Sequence, residues 1–383
     1  MNPTDFTKDS PGRLVQIPEG GFAFVPEPLP EALPLGPETV HSLTDASQSL
    51  GILQGIAQSL PNPQLLVRPF LRREAELSSR IEGTHATQQD LVLFELDRAT
   101  ETEKPDVREV WNYVAAFEHG VKRLQELPVC LRLIRELHER LLRGVRGHDR
   151  RPGEFRKRQN YIGRRDLPIS EARYVPPPVS ELPVCLDAFE RALHADSRLP
   201  LLVRLALFHY QFEAIHPFED GNGRIGRLLL PLLLLEKGLL SHPLLQLSAY
   251  FEQHRSAYYD HLLRVSQTGE WQPWIQFFLR AVQQESGQAA HRAHALLDLR
   301  QKYREKMQTA GVSAPALRIV DDLFVTPAVT ITGVARRMRA SYPTAQLLVQ
   351  KLIRAGILTP DRRRRRNRIF PAAEIQSLLQ QDF

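Results

Sequence analysis

The feature that most limits how this chain can fold is a twelve-residue connection, His216-Pro217-Phe218-Glu219-Asp220-Gly221-Asn222-Gly223-Arg224-Ile225-Gly226-Arg227, set between apolar helical patterns at 199–214 and 224–238. Gly221 and Gly223 admit backbone conformations closed to other residues, so successive N–H groups can turn toward one anion. The helix starting near Arg224 adds the positive end of its dipole. Arg224 and Arg227 stand three apart, so both guanidinium groups can reach one ligand with paired donors. Asp220 offers a hard oxygen suited to Mg²⁺ shared with substrate phosphates, and His216 has a pKa suited to general-base work. Taken singly, these are a loop histidine, a turn and two solvated arginines; their joint occurrence within twelve residues predicts a phosphoryl- or nucleotidyl-transfer site with its own base.

The elements around it read as mainly α. Apolar spacing predicts a helix over 67–82, stopped at Gly83, and further helices over 106–125, 130–144, 181–195, 255–266 and 271–305. Residues 1–45 carry Pro18, Pro26, Pro28, Pro30, Pro34 and Pro37 and are expected to hold no long helix, forming an extended arm on the body. Tyr161, Ile162, Arg173, Tyr174 and Val175 flank a polar turn with Gly163 and predict a β-hairpin over 159–175, ended by Pro176 to Pro178. Pro231, inside the helix after the connection, predicts a kink. Cys130 and Cys185 have no metal-ligand spacing and sit among leucines, which marks both as buried small hydrophobes.

Charge separates the last segment from the rest. From Ala310 onward there are 12 Lys or Arg against 5 Asp or Glu, which leaves 38 against 39 of the chain's 50 and 44 for everything before it. The basic balance therefore belongs to the C-terminal segment and points to an anionic partner there. Short helices are predicted at about 315–325, 330–339 and 343–355, followed by two short strands around a basic turn. The third is capped by Ser341 with Pro343 in its first turn; Leu347, Leu348, Leu352 and Ile353 should face inward, and Gln346, Gln350, Lys351 and Arg354 outward. The apolar run Leu228 to Leu235 is too short to span a bilayer, and Met1 to Ser10 has no apolar core of a secretory signal, so no membrane contact and a cytoplasmic location are expected.

The twelve residues closely resemble the signature of the Fic family, His-Pro-Phe-x-Asp/Glu-Gly-Asn-Gly-Arg-x-x-Arg, at every specified position. The resemblance covers roughly residues 10 to 300. It implies AMP transfer from ATP to a tyrosine, serine or threonine hydroxyl of a target protein, its own included, with release of pyrophosphate. It implies His216 as base, Asp220 as ligand of Mg²⁺ or Mn²⁺, and Asn222 with the backbone at Gly221 and Gly223 on the α- and β-phosphates. Arg224 would stabilise the departing charge and Arg227 meet the γ-phosphate, with Ile225 and Gly226 between them in the ATP site. The kinase-like Doc branch has lysine where Gly223 stands, which favours AMP transfer over phosphorylation.

Ser78 and Glu82 lie four apart on one face of a helix end, where a carboxylate opposes the dipole by roughly 0.3 to 1 kcal/mol, so either solvent screens it or a cation partners it. Ser78-x-x-x-Glu82-Gly83 also resembles the inhibitory motif of many Fic proteins, in which the glutamate pairs with the second motif arginine, here Arg227. That implies a low resting activity, relieved by Glu82→Gly, and in some relatives the same glutamate serves de-AMPylation. The hairpin resembles the family's flap, with Tyr161, Ile162, Gly163, Tyr174 and Val175 aligning the target, and Gly153-Glu154-Phe155-Arg156 and Tyr174-Val175-Pro176-Pro177 fit the same pattern. Tyr258 and Tyr259 are either surfaces for adenine or core. Family members often dimerise through the helical body, so the resemblance leaves a monomer and a homodimer both open.

The last segment resembles a winged-helix domain, with Gln350, Lys351 and Arg354 as DNA contacts on the third helix and Arg362, Arg363, Arg364, Arg365 and Arg366 as the wing; winged helices also dock proteins. The expected organisation is an arm and inhibitory-helix region over 1–105, a helical Fic-type core with its β-hairpin flap over 106–305, and a winged helix-turn-helix over 312–383. The principal expectation is an autoinhibited protein adenylyltransferase, and the alternative an ATP-sensing nucleic-acid-binding regulator with little transfer activity.

Overall fold

Proline is tolerated at the first position of a helix because that amide has no intrahelical acceptor. Pro37 uses this after Gly36 to open α1 (Pro37–Ser59), so a 23-residue helix begins inside the stretch expected to hold none. Before it, β1 (Gly12–Gln16) and β2 (Phe22–Pro26) pair antiparallel, Gly12 opposite Pro26, and the Phe24 N–H donates to Val175 O at 2.9 Å. The arm therefore does pack on the body, as a hairpin. The structure is a computed structural model and describes residues 1–60, 62–96, 104–163, 167–360 and 368–381.

The helical body follows the predicted spacing closely. It comprises α2 (Gln64–Ile81), α3 (Gln88–Leu96), α4 (Pro105–Arg123), α5 (Leu131–Leu141), α6 (Leu182–His194), α7 (Leu201–Ile215), α8 (Asn222–Glu236), α9 (Leu247–Gln253), α10 (Arg255–Thr268) and α11 (Trp271–Thr309). Of these, α3 and α9 were not foreseen; at nine and seven residues they are too short for periodicity to register. Helices α7 and α8 are apolar on nearly every side and form the centre of the body, and α8 continues through Pro231 to Glu236. Helix α1 lies along α11, pinned where Gly36 N and Thr39 Oγ1 both donate to Gln272 Oε1 at 3.1 Å.

Helix α2 is buried on all sides, including Arg72, Arg73, Glu74, Glu76 and Ser78, so it is a central strut. Its outer partners are α12 (Ala314–Val325) and α15 (Ala373–Gln380), from a C-terminal segment that also contains β3 (Ala328–Thr330), α13 (Ile331–Met338), α14 (Tyr342–Arg354) and β4 (Ile369–Pro371). Arg72 donates to Val325 O at 2.7 Å and pairs with Glu95; Arg73 donates to Leu379 O at 2.8 Å. Both carbonyls lie in last helical turns, where the backbone lacks intrahelical donors.

Several local expectations change. Among the described residues one of the two strands expected after the third C-terminal helix is present, β4, and it pairs antiparallel with β3, which precedes α13. The basic run Arg362 to Arg366 lies outside the described residues. Leu347 is 60% exposed, because α14 turns Ala345, Leu348, Val349 and Leu352 inward instead. The Ser341 cap is as expected, its hydroxyl accepting the Thr344 N–H. Cys185 is buried but Cys130, at the N-cap of α5, is only partly so. Among the described residues no helix is long and apolar enough to cross a membrane.

Candidate active site

The connection between α7 and α8 is shaped by two left-handed residues. His216 ends α7 at φ 49°, ψ 60°, uncommon for a residue with a side chain, and Gly221 caps α8 at φ 80°. Asn222 closes the loop between them: its Oδ1 accepts the Phe218 N–H and its Nδ2 donates to Phe218 O, both at 2.8 Å. Both ends of the amide expected to meet phosphate therefore hold the loop, while the first N–H groups of α8 have no intrahelical acceptor and are open to an anion.

Two side chains fix this loop to the body. His138 Nδ1 accepts the Gly153 N–H, which makes Nε2 the protonated nitrogen that donates to Asp220 O, both bonds at 2.9 Å. Its ring stacks on Phe218 with centroids 3.7 Å apart. Arg156 donates to His216 O at 3.0 Å and to Pro177 O, joining the α7–α8 connection to the segment after the Ile162–Tyr174 hairpin. Burial, then the Arg156 charge, pull His216 down to about 4, so its imidazole is neutral at neutral pH and can accept a proton.

Arg227 is held from three directions. Its Nη2 pairs with Glu82 Oε1 at 2.7 Å and donates to Ser78 O at 2.9 Å, while Nε donates to Ser78 Oγ at 2.9 Å. Glu82 is the C-cap of α2, followed by Gly83 at φ 83°. Its carboxylate stands where a side chain on Gly223 would be. Burial alone would raise Glu82, but the charge and hydrogen bond of Arg227 hold it below the ordinary carboxylate range. Of the two readings of this glutamate, the partnered one is what forms.

Arg224 Nη1 lies 3.3 Å from Glu109 Oε2, both side chains being almost fully buried, and Thr84 Oγ1 donates to the same oxygen at 2.8 Å. Asp220 Oδ1 accepts the Gly221 N–H at 2.6 Å, and Oδ2 faces the α carbon of Gly147, where a Cβ would come within 3.0 Å. One partly exposed carboxylate beside a phosphate cradle fits Mg²⁺ or Mn²⁺ held mainly by phosphate and water. Among the described residues no group of three acidic, His or Cys side chains is placed to hold a metal by itself.

The remaining predicted residues divide. The Ile225 side chain is buried in the core, and Gly226 packs against Glu213. Tyr258 is fully buried with its ring 4.7 Å from Phe251, and its hydroxyl lies 2.7 Å from His209 Nε2; it is core and offers adenine no surface. Tyr259 is half-buried, near enough to feel the charges of Glu82 and Arg227. Among the described residues the hairpin expected over 159–175 shows a single antiparallel bridge, Ile162 with Tyr174. Tyr174 and Val175 are buried, with Val175 O taken by β2, so only the Tyr161–Gly163 side keeps an edge. Gln350, Lys351 and Arg354 lie exposed on α14, far along the chain from this cluster.

Three site residues were not foreseen. Glu109 sits four before Tyr113 and seven before Ala116, on the inward face of α4; His138 lies between Ile134 and Leu141 on that of α5. A polar residue on an apolar stripe was the available signal. Glu213, on the last turn of α7, is pushed up to about 7 by burial against the opposing charge of Arg227, with Glu82 adding to the rise.

Residues 40–122 match the family described as Fic/DOC family N-terminal, and residues 128–234 the Fic/DOC family. The curated relatives named Protein adenylyltransferase Fic from Drosophila virilis and Drosophila melanogaster are 36% and 35% identical over 156 residues, 40% of this chain. The similarity spans 28% of each relative's own length. Among solved structures, a Fic family protein from Desulfovibrio desulfuricans G20 matches with a TM-score of 0.56 at 20% identity, covering 89% of this chain and 97% of its own. Fic-1 from C. elegans matches with a TM-score of 0.52 at 21% identity, covering 69% and 75%. At these identities the structures show a shared fold.

Proposed function

We propose that this chain, whose residues 40–122 and 128–234 match the Fic/DOC family, is a protein adenylyltransferase held at rest by its own Glu82. The observation that carries this reading is the pairing of Glu82 with Arg227 at 2.7 Å beside a neutral His216. In the transfer, His216 takes the proton of a target hydroxyl, the hydroxyl oxygen forms a bond to the α-phosphorus, and the bond to the bridging oxygen breaks to release pyrophosphate. The α8 N–H groups and Arg224 meet the charge that develops on the phosphates. A divalent cation at Asp220 would share the neutralisation of the triphosphate. While Glu82 holds Arg227, the γ-phosphate has no arginine to bind and ATP cannot reach the in-line orientation.

The Tyr161–Gly163 edge is the proposed docking strand for the target, by strand addition. The same Glu82 could accept a proton from a water as the water oxygen bonds to the phosphorus of an AMP-modified hydroxyl. The ester P–O bond breaks, His216, having taken a proton from solvent, passes it to the departing oxygen, and AMP and the free hydroxyl are released. De-AMPylation is therefore part of the proposal. The exposed polar face of α14 supports a second role, nucleic-acid contact by the basic C-terminal segment.

The test is incubation with α-labelled ATP and Mg²⁺ of wild type, Glu82→Gly, His216→Ala and the double variant. Label on protein from Glu82→Gly that disappears with His216→Ala is the expected result. No label from any variant, with a known family target supplied, overturns the transferase reading in favour of a nucleotide-sensing regulator.

A further inference from the structure

Arg227 and Glu213 carry two buried polar atoms that no hydrogen bond satisfies. Arg227 uses Nε and Nη2 on Ser78 and Glu82, but its Nη1 has no partner; Glu213 Oε1, on α7, has none either. Buried groups of this kind are rare in folded proteins and call for a reason. The two lie within electrostatic reach, Arg227 being the strongest charge acting on Glu213. They form no ion pair in this state, in which Glu82 occupies the guanidinium.

The backbone under them is cleared for both carboxylates. A Cβ on Gly223 would fall 2.3 Å from Glu82 Oε1, and one on Gly226 would fall 2.2 Å from Glu213 Oε1. Gly223 and Gly226 are three apart on α8 and share a face, with Arg227 four after Gly223. Two glutamates from different helices, α2 and α7, therefore lie on two glycines of one helix, with one arginine beside them. Glu82 is the cap residue at a helix end, followed by Gly83; Glu213 lies inside the last turn of α7, three residues from His216, with its Oε1 buried.

We propose that Glu213 is the second seat of Arg227: when Glu82 swings out to admit ATP, Arg227 Nη1 turns to Glu213 Oε1, which keeps the guanidinium over the cradle for the terminal phosphates. Glu213 is on this account a positioning residue. It rests on the reading of this cleft as an ATP site. Burial keeps its carboxyl high in the resting state, and the approach of Arg227 opposes that rise, so the new pair would form with the carboxylate ionised. Without it, a freed Arg227 would be one of several rotamers searching for the phosphate, and part of the binding energy would be spent on ordering it.

The experiment uses the full chain in the Glu82→Gly background and measures binding of a non-hydrolysable ATP analogue and of AMP, with the thermal midpoint recorded for each protein. Glu213→Gln keeps the volume and removes the charge; Glu213→Asp keeps the charge at a shorter reach. Glu213→Gln should weaken the ATP analogue on the order of tenfold, the scale of one charge-assisted hydrogen bond, and leave AMP within about twofold. Glu213→Asp should recover part of the loss. Equal weakening of both ligands, or tighter ATP binding once the charge is gone, overturns the proposal and leaves Glu213 a packing residue. If Glu82→Gly alone binds no ATP, the nucleotide reading itself fails, a result separable from the first because Glu213 is then intact.

Discussion

Glu82 occupies the space that a side chain on Gly223 would need, its Oε1 only 2.3 Å from where a Cβ would stand, with Arg227 Nη1 at 2.9 Å from the same point. Gly223 is not in the left-handed region, so alanine there is free of backbone strain and meets only these two side-chain ends. Gly223→Ala should then destabilise the wild type by about 1 to 3 kcal/mol through overpacking. In the Glu82→Gly background the cost should drop by about 1 kcal/mol or more, because the obstructing carboxylate is gone. Urea denaturation of the four proteins checks this; additive costs would show that the two positions do not meet. The relation also gives the glycine a physical reason to replace the Doc-branch lysine: a side chain there and this brake exclude each other.

The buried Arg224–Glu109 pair gives a second prediction. Arg224 already has an unsatisfied Nε, and Glu109 is the carboxylate that both Arg224 and Thr84 address. Glu109→Ala should cost about 3 to 5 kcal/mol, since it strands a buried guanidinium. Glu109→Gln keeps one acceptor and should cost less than Glu109→Ala by about 1 kcal/mol or more. A shift in urea midpoint smaller than that of an ordinary surface substitution would mean that Asp220, 3.7 Å from Arg224 Nη2, takes over the pairing.

His209 gives a pH dependence with a definite sign. Its Nδ1 faces Gly226 O, which can only accept, so Nε2 accepts from the Tyr258 hydroxyl. Burial, reinforced by the Arg227 charge, pulls it down to about 3, against an ordinary value near 6.5. Above about pH 6.5 neither the folded nor the unfolded histidine is protonated; below it the unfolded chain takes up a proton that the folded one refuses. The wild type should lose about 1.4 kcal/mol of stability per pH unit from this group as pH falls from about 6.5 toward 3. His209→Gln has no such proton. Its deficit at pH 7 should therefore shrink by about 2 kcal/mol at pH 5, measured by urea denaturation at both values.

Most of the helical body was legible because amphipathic spacing survives without knowledge of partners: α4 to α8, α10 and α11 start and stop within a few residues of the predicted ends. The pairing of Glu82 with Arg227 was legible only through resemblance, since a carboxylate at a helix end reads equally as solvated. What failed had specific causes. Proline density concealed α1 because Pro37 sits at the one helical position that accepts it. Leu347 was misplaced and Tyr258 left open between adenine surface and core because apolar character does not say which neighbour covers a side chain; Tyr258 is enclosed by Phe251, His209 and Trp274 from three separate helices. The hold of Asn222 on the Phe218 backbone was not foreseen, because a backbone partner is invisible in residue type.

The C-terminal segment yields a prediction of its own. On α14, Gln346, Gln350, Lys351 and Arg354 form an exposed polar stripe that includes Leu347, opposite a face sealed by Ala345, Leu348 and Leu352. Such a stripe, with amide and cationic donors around one apolar side chain, has the composition of a helix that reads a groove, where phosphates position and base edges specify. If it binds duplex DNA, the affinity should fall steeply with salt, and Lys351→Ala or Arg354→Ala should each reduce the slope of log affinity against log salt by about 1 when the lost contact was to phosphate. Filter binding or fluorescence anisotropy between 50 and 200 mM salt, about a fourfold span, resolves such a change. Absent or salt-independent binding would remove the nucleic-acid role, and the exposed Leu347 would then mark α14 as a protein-docking face.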